Sequence, residues 1–259
     1  TIDVTGINDG VVATDDASYR GEVQGQTDVN NDGVDDHNNS ITNLEDGGYV
    51  VAWQSSDCDI YLQRFDVNGE KVGDEVEASA NSDVNNQTPA ITSLSDGGYV
   101  VTYTSYQDDA SASIYDGEGI YAQRFGADGE KVGSEIHVNT NESSYQREPD
   151  ITSLSDGGFV MTWSTKYDNI SSQQFGADGE KVGTEVNTNI NGCTPNVEAL
   201  NDGGYIISGI QGHAIVTQRY DSTGNTVGDA VNMTDGGSRV HNPEITSLSD
   251  GGYAATWVQ

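Results

Sequence analysis

The run Asp28-Val29-Asn30-Asn31-Asp32-Gly33-Val34-Asp35-Asp36 sets side-chain oxygens at loop positions 1, 3 and 5 and glycine at position 6. That order lets a short loop wrap one hard cation such as Ca2+. Asp36 falls at position 9, while position 12 holds Asn39 rather than a bidentate Glu. The expected ligands are therefore Asp28, Asn30, Asp32 and Asp36, and the alternative is an acidic, solvated loop. A second group is aromatic. Tyr106, Tyr115, Tyr145 and Tyr167 stand beside Asp and Asn in polar stretches, a mixture that suits stacking on sugar rings with hydrogen bonds to hydroxyls, or ordinary loop packing. A third is the carboxylate pair Asp150 and Glu244, able to hold a cation or to serve as acid and base in glycoside cleavage. His37, His137, His213 and His241 have no ligand spacing, and Cys58 and Cys193 form no disulfide or metal framework. No Ser-His-Asp order, phosphate loop or cofactor fingerprint is present.

What positions these groups is a repeat. ITSLSDGGYVVTY (91–103) returns as ITSLSDGGFVMTW (151–163) and ITSLSDGGYAATW (245–257), with looser copies at 41–53 and 197–209. The Asp of each DGG motif, at 46, 96, 156, 202 and 250, recurs at intervals of 50, 60, 46 and 48 residues. A second motif, QRFDVNGEKVG (63–73), is locked to the first and returns at 123–133, 173–183 and 218–228. A period of this size means one supersecondary unit used again and again.

Within a unit, Ile91–Leu94 reads as a first strand. The Asp-Gly of the following turn suits a type I′ hairpin. Tyr99–Tyr103, Gly119–Phe125 and Lys131–Val138 follow as β-branched and aromatic strands. Four antiparallel strands in about 50 residues make one propeller blade. The fold expected is therefore all-β, a β-propeller of four-stranded antiparallel blades. The repeats start near 41, 91, 151, 197 and 245, and residues 1–259 form one domain. Thr1–Ile7 and Tyr19–Val29, within the first 40 residues, are the candidate strands that complete a fifth blade from both chain ends. A fragment of a six- to eight-bladed ring and an open array of sheets are the alternatives. Ser40, Ala90, Asp150, Asn196 and Glu244 precede the first strands and should line the mouth of the central channel. Trp53, Tyr103, Trp163 and Trp257 end the second strands and read as blade-to-blade core, while Gly209 breaks that series. Lys71, Lys131 and Lys181 read as outer-strand charges that discourage edge pairing.

The formal net charge is −32, from 10 Lys+Arg against 42 Asp+Glu. Such a chain repels phosphates, which excludes a nucleic-acid partner, and it attracts divalent cations. No apolar run is long enough to insert in a membrane, and no basic-then-apolar signal opens the chain. It reads as an excised piece of a longer polypeptide with flanking domains.

The pattern SDGGYVVTY … YAQRFGADGEKVGSEI … NT resembles the repeats of very large bacterial surface and secreted proteins of the haemolysin-type, calcium-binding, RTX-adhesin-like kind. TIDVTGINDG resembles the last strand of cadherin-like or VCBS modules, and the 28–36 loop is similar to dockerin- or thrombospondin-type loops. The resemblance implies an extracellular location at the bacterial surface. The glycine-rich nonapeptide of RTX calcium rolls is missing, so calcium by that route is not implied. Together these readings lead to an expected function: a calcium-binding ligand-recognition (adhesion) module, not an enzyme, that takes a glycan or other cell-surface ligand through variable loops. The alternatives are a structural spacer and a glycosidase using Asp150 and Glu244.

Overall fold

Each DGG motif closes a hairpin, but not through the expected type I′ turn. In the computed structural model, Gly47 N–H donates to Leu44 O (3.1 Å) and Leu44 N–H to Gly48 O (2.8 Å). Positive φ falls on Gly47 (84°) and not on Asp46. This is a type I turn followed by a left-handed glycine, repeated at Gly97, Gly157, Gly203 and Gly251. The aspartate accepts a backbone bond instead of adopting positive φ: Asp96 Oδ1 takes Gly98 N–H at 2.9 Å. The second glycine answers to space, since a Cβ on Gly98 would lie 2.3 Å from the Phe125 carbonyl oxygen.

The structure describes Val29 and residues 36–80, 84–106, 117–141, 145–166, 169–234 and 237–258. The chain divides into two compact units, Thr1–Gly33 and Val34–Gln259, and every strand named below lies in the second. The candidate closing strands Thr1–Ile7 and Tyr19–Val29 fall outside the described residues, Val29 excepted.

Eighteen strands are described. The first sheet is β1 (His37–Asn43), β2 (Tyr49–Gln54), β3 (Ile60–Phe65) and β4 (Lys71–Glu77). The second is β5 (Asn86–Ser93), β6 (Tyr99–Ser105), β7 (Gly119–Phe125) and β8 (Lys131–His137). The third is β9 (Gln146–Ser153), β10 (Phe159–Thr165), β11 (Asn169–Phe175) and β12 (Lys181–Asn187). The fourth is β13 (Cys193–Ala199), β14 (Tyr205–Gln211), β15 (Ala214–Tyr220) and β16 (Thr226–Asn232). A fifth sheet holds β17 (His241–Ser247) and β18 (Tyr253–Val258). Within each sheet, strands pair antiparallel in chain order. These are the propeller blades the repeat predicts. Among the described residues no helix is long and apolar enough to cross a membrane.

The core lies between blades. One cluster joins Val50, Ile60 and Leu62 of the first blade to Tyr99, Val101 and Tyr103 of the second, and the next joins Val100 and Ile120 to Phe159, Met161 and Trp163 of the third. Both faces of β6 are buried, hence its unbroken apolar run. Within blades, the second and third strands stack rings: Tyr49 on Phe65 at 4.8 Å, Tyr99 on Phe125 at 5.0 Å, Phe159 on Phe175 at 4.9 Å, Tyr205 on Tyr220 at 4.9 Å. Trp53, Tyr103 and Trp163 are core, as expected, whereas Trp257 on β18 is 36% exposed. Where the fourth blade has Gly209, a Cβ would meet Ile170 Cδ1 at 2.2 Å, so an isoleucine of the third blade fills the place of the missing ring.

The recurring Gln of QRF has a role the motif does not reveal. Gln123 is buried (2% exposed) and donates to Arg124 O and Val132 O, bridging the bulge that offsets β8 from β7. Gln63, Gln173 and Gln218 do the same in their blades. In the first, second and fourth blades the following Arg clamps the turn aspartate of its own blade, as Arg124 does Asp96 at 2.5 Å, while the third has Gln174 there.

Candidate functional site

The inner strands β1, β5, β9, β13 and β17 lie in succession, and each is kinked at its start. Register slips between His37 and Ser40, Gln87 and Ala90, Arg147 and Asp150, Cys193 and Asn196, and His241 and Glu244. In each slip one non-glycine residue is left-handed: Asn38 (φ 48°), Thr88 (50°), Glu148 (53°), Thr194 (53°) and Asn242 (48°). The next residue is Asn39 in the first blade and Pro89, Pro149, Pro195 and Pro243 in the others, which accounts for all 4 prolines of the chain. Proline has no N–H to pair, so a bulge tolerates it inside a strand. This corrects the expected strand start at Ile91: β5 begins at Asn86 and runs through Pro89, a residue that reads in sequence as a strand breaker. Each left-handed residue stores about 1–3 kcal/mol, and such strain collects at functional sites.

Just past the bulges, the expected mouth residues come together. Alternation along a strand also turns the residue two further on to the same face, giving Ser40 and Thr42, Ala90 and Thr92, Asp150 and Thr152, Asn196 and Glu198, Glu244 and Thr246. Several staple one blade to the next. Ser40 Oγ accepts Ile91 N–H (3.3 Å), and Thr42 Oγ1 accepts Ser93 N–H (3.1 Å). Asp150 Oδ2 accepts Val197 N–H (2.7 Å) and Asn196 Nδ2–H (3.0 Å). Asn196 Oδ1 accepts Ile245 N–H (3.0 Å), and Glu198 Oε1 accepts Ser247 N–H (2.9 Å).

Asp150 stands apart electrostatically. Burial pushes its carboxyl up to about 7, against the pull of the Val197 and Ile151 amides, and the charges of Glu244 and Glu198 raise it further. Asp150 and Glu198 are half-buried and Glu244 is exposed. Sequence reasoning found Asp150 and Glu244 but missed Glu198; the signal was the period of two.

At the rim, Tyr106 and Tyr145 share one cluster. Arg147 makes a two-point ion pair with the buried Glu118, Nη2 to Oε1 at 2.7 Å and Nε to Oε2. Its guanidinium lies 4.3 Å from the centre of the Tyr145 ring. The Tyr106 hydroxyl bonds to Glu118, and burial together with that carboxylate raises its pKa. Glu118 and Arg147, which hold the two tyrosines, were not singled out from the sequence. Tyr115 and Tyr167 lie outside the described residues. So do Asp28, Asn30 and Asp32; Asp36, at the edge of the expected calcium loop, is half-buried. Among the described residues no group of three or more His, Cys, Asp or Glu side chains is set to hold a metal ion. Cys58 and Cys193 are free thiols.

No protein-family model matches the chain, and no curated protein matches it. Solved structures do. An α-L-arabinanase from Penicillium chrysogenum, complexed with arabinobiose, is similar with a TM-score of 0.56 at 16% identity over 83% of this chain and 70% of its own. A GH43 endo-arabinanase from Bacillus licheniformis (0.46, 13%, covering 86% and 92%) and the Dos1 propeller (0.49, 11%, covering 77% and 48%) are also similar. The likeness shows the propeller fold. The arabinanase match overturns the expected adhesion module and, with it, the expectation that the chain is not an enzyme.

Proposed function

We propose that the chain is a carbohydrate-cleaving propeller whose proton donor is Asp150. One observation carries this reading. Ser40 and Asn196 join their blades to the next with neutral side chains, whereas the same junction at Asp150 uses a half-buried carboxyl held near neutral pH. Joining blades does not require a charge there. A group whose pKa sits near the working pH is what proton transfer requires. A likeness of fold to an arabinanase supports a glycan as the substrate.

Both Asn196 and Val197 donate to Oδ2, so we assign the proton to Oδ1. In cleavage, that proton passes to the glycosidic oxygen as the C–O bond breaks. Glu244, exposed on β17, two inner strands from Asp150, takes a proton from the water that forms the new C–O bond. Burial, with smaller contributions from the neighbouring Glu244 and Glu198 carboxylates, favours the protonated form of Asp150. From the resemblance of the repeats we also propose an extracellular location, and from the oxygen spacing of the 28–36 loop we propose Ca2+ there.

The test is reducing-sugar release from arabinan, xylan and β-glucan between pH 5 and 8. The native chain is expected to cleave at least one of them, and Asp150→Asn to lose about 10²-fold or more. A native chain inactive on every polymer refutes the proposal.

A further inference from the structure

A groove of about 220 Å3 opens between the first and second blades, at the strand ends opposite the bulges. Its walls come from Arg64 on β3, Val72 and Asp74 on β4, Tyr99 on β6, and Asp128 and Glu130 in the turn between β7 and β8. Arg64 Nη2 reaches Asp46 at 3.5 Å, but its Nε–H is buried with no acceptor among the described residues. A buried donor left unmet favours binding of whatever ligand satisfies it. Gly129 keeps the floor low, since a Cβ there would lie 3.1 Å from Arg64 Cδ.

We propose that this groove binds one neutral sugar ring, at a site separate from the Asp150 face. The volume is below the ~300–1,000 Å3 of drug-sized sites, so it takes a ring rather than a chain. Three carboxylates against one guanidinium repel anions. They also offer acceptors to hydroxyls, while Arg64 Nε–H and the Tyr99 hydroxyl supply donors. Val72, 42% exposed, gives a sugar's C–H face an apolar surface. The fourth and fifth blades repeat the Arg–Tyr pair as Arg219 and Tyr253, and Arg124 shares the unmet Nε–H. Among the described residues, however, only the first and second blades combine an unmet Arg Nε–H, a facing Tyr and an acidic β7–β8 turn, since the fifth sheet has two strands. The third blade has Phe159 where the second has Tyr99, and the third has Gln174 where the first has Arg64.

Saturation-transfer NMR on the intact chain with L-arabinose, D-xylose, D-galactose and D-glucose tests the site. At least one sugar is expected to bind, and to bind at least tenfold more weakly to Arg64→Lys, which keeps the charge beside Asp46 but loses Nε–H. Tyr99→Phe, which copies the next blade and so retains the stacked ring, is expected to weaken it likewise. Arg124→Lys and Asp150→Asn are expected to bind as the native chain does, which separates this groove from the inner-strand face. No binding by any of the four sugars, or equal loss in Arg64→Lys and Arg124→Lys, overturns the proposal.

Discussion

Replacing Asp150 by asparagine should make the protein more stable above neutral pH. Asn196 shows that an amide oxygen can accept the next blade's N–H, as it does for Ile245 at 3.0 Å. The substituted amide would therefore keep the bond to Val197 while removing the charge. The folded carboxyl titrates at about 7 against an ordinary 3.8, so between those values the folded state holds a proton that the unfolded chain has lost. By linkage, the contribution of Asp150 is fully present below about pH 4 and is lost as pH rises through about 7. The full shift corresponds to at most about 4 kcal/mol, at about 1.4 kcal/mol for each tenfold. Because the side chain retains some contact with solvent, about 2 kcal/mol is the expected size. For a unit of this length that is about 4–8 °C in Tm. Thermal unfolding followed by circular dichroism at pH 4.5, 6, 7 and 8 reads it directly. The variant should lie nearest the native chain at pH 4.5 and exceed it increasingly toward pH 8. Parallel curves, or a variant that melts lower at pH 8, would show that burial and the charges of Glu198 and Glu244 do not act on Asp150 as argued. Gained stability with lost activity is the signature of a group retained for chemistry rather than for folding.

Two further outcomes follow from the turns and the acidic loop. Gly98→Ala forces a Cβ to within 2.3 Å of the Phe125 carbonyl oxygen, so denaturant unfolding should show a loss of about 1–3 kcal/mol; an unchanged midpoint would mean that the hairpin yields at no cost. If the 28–36 loop holds calcium only in the folded chain, Ca2+ at a hundred times its Kd should add about 2.7 kcal/mol over EDTA. Asp32→Ala should abolish that gain, and identical melting with Ca2+ and with EDTA would remove the loop as a site.

The blades were legible because their signals are local and repeated. DGG marked five hairpins, and Gly119–Phe125 came out with its bounds intact. What was hidden depends on geometry between strands. Pro89, Pro149, Pro195 and Pro243 read as breakers because a lone sequence shows the missing N–H but not the bulge that makes it harmless. Trp257 reads as core because its motif matches Trp163, yet the two differ in burial, 36% against 0% exposed. The site was half visible. Asp150 and Glu244 follow from their place before each first strand, while Glu198 and the Glu118–Arg147 pair appear only when neighbouring blades are set side by side. Function was the least legible, because resemblance of the repeats led to adhesion whereas the fold is one this chain shares with an arabinanase.

The central claim is that one inner-strand carboxyl remains an acid near neutral pH, and a 13C titration of the Asp150 carboxyl in the folded protein measures it directly. The account predicts a midpoint near 7 that falls in Glu244→Gln. A midpoint near the ordinary 3.8, unmoved by that substitution, would contradict it.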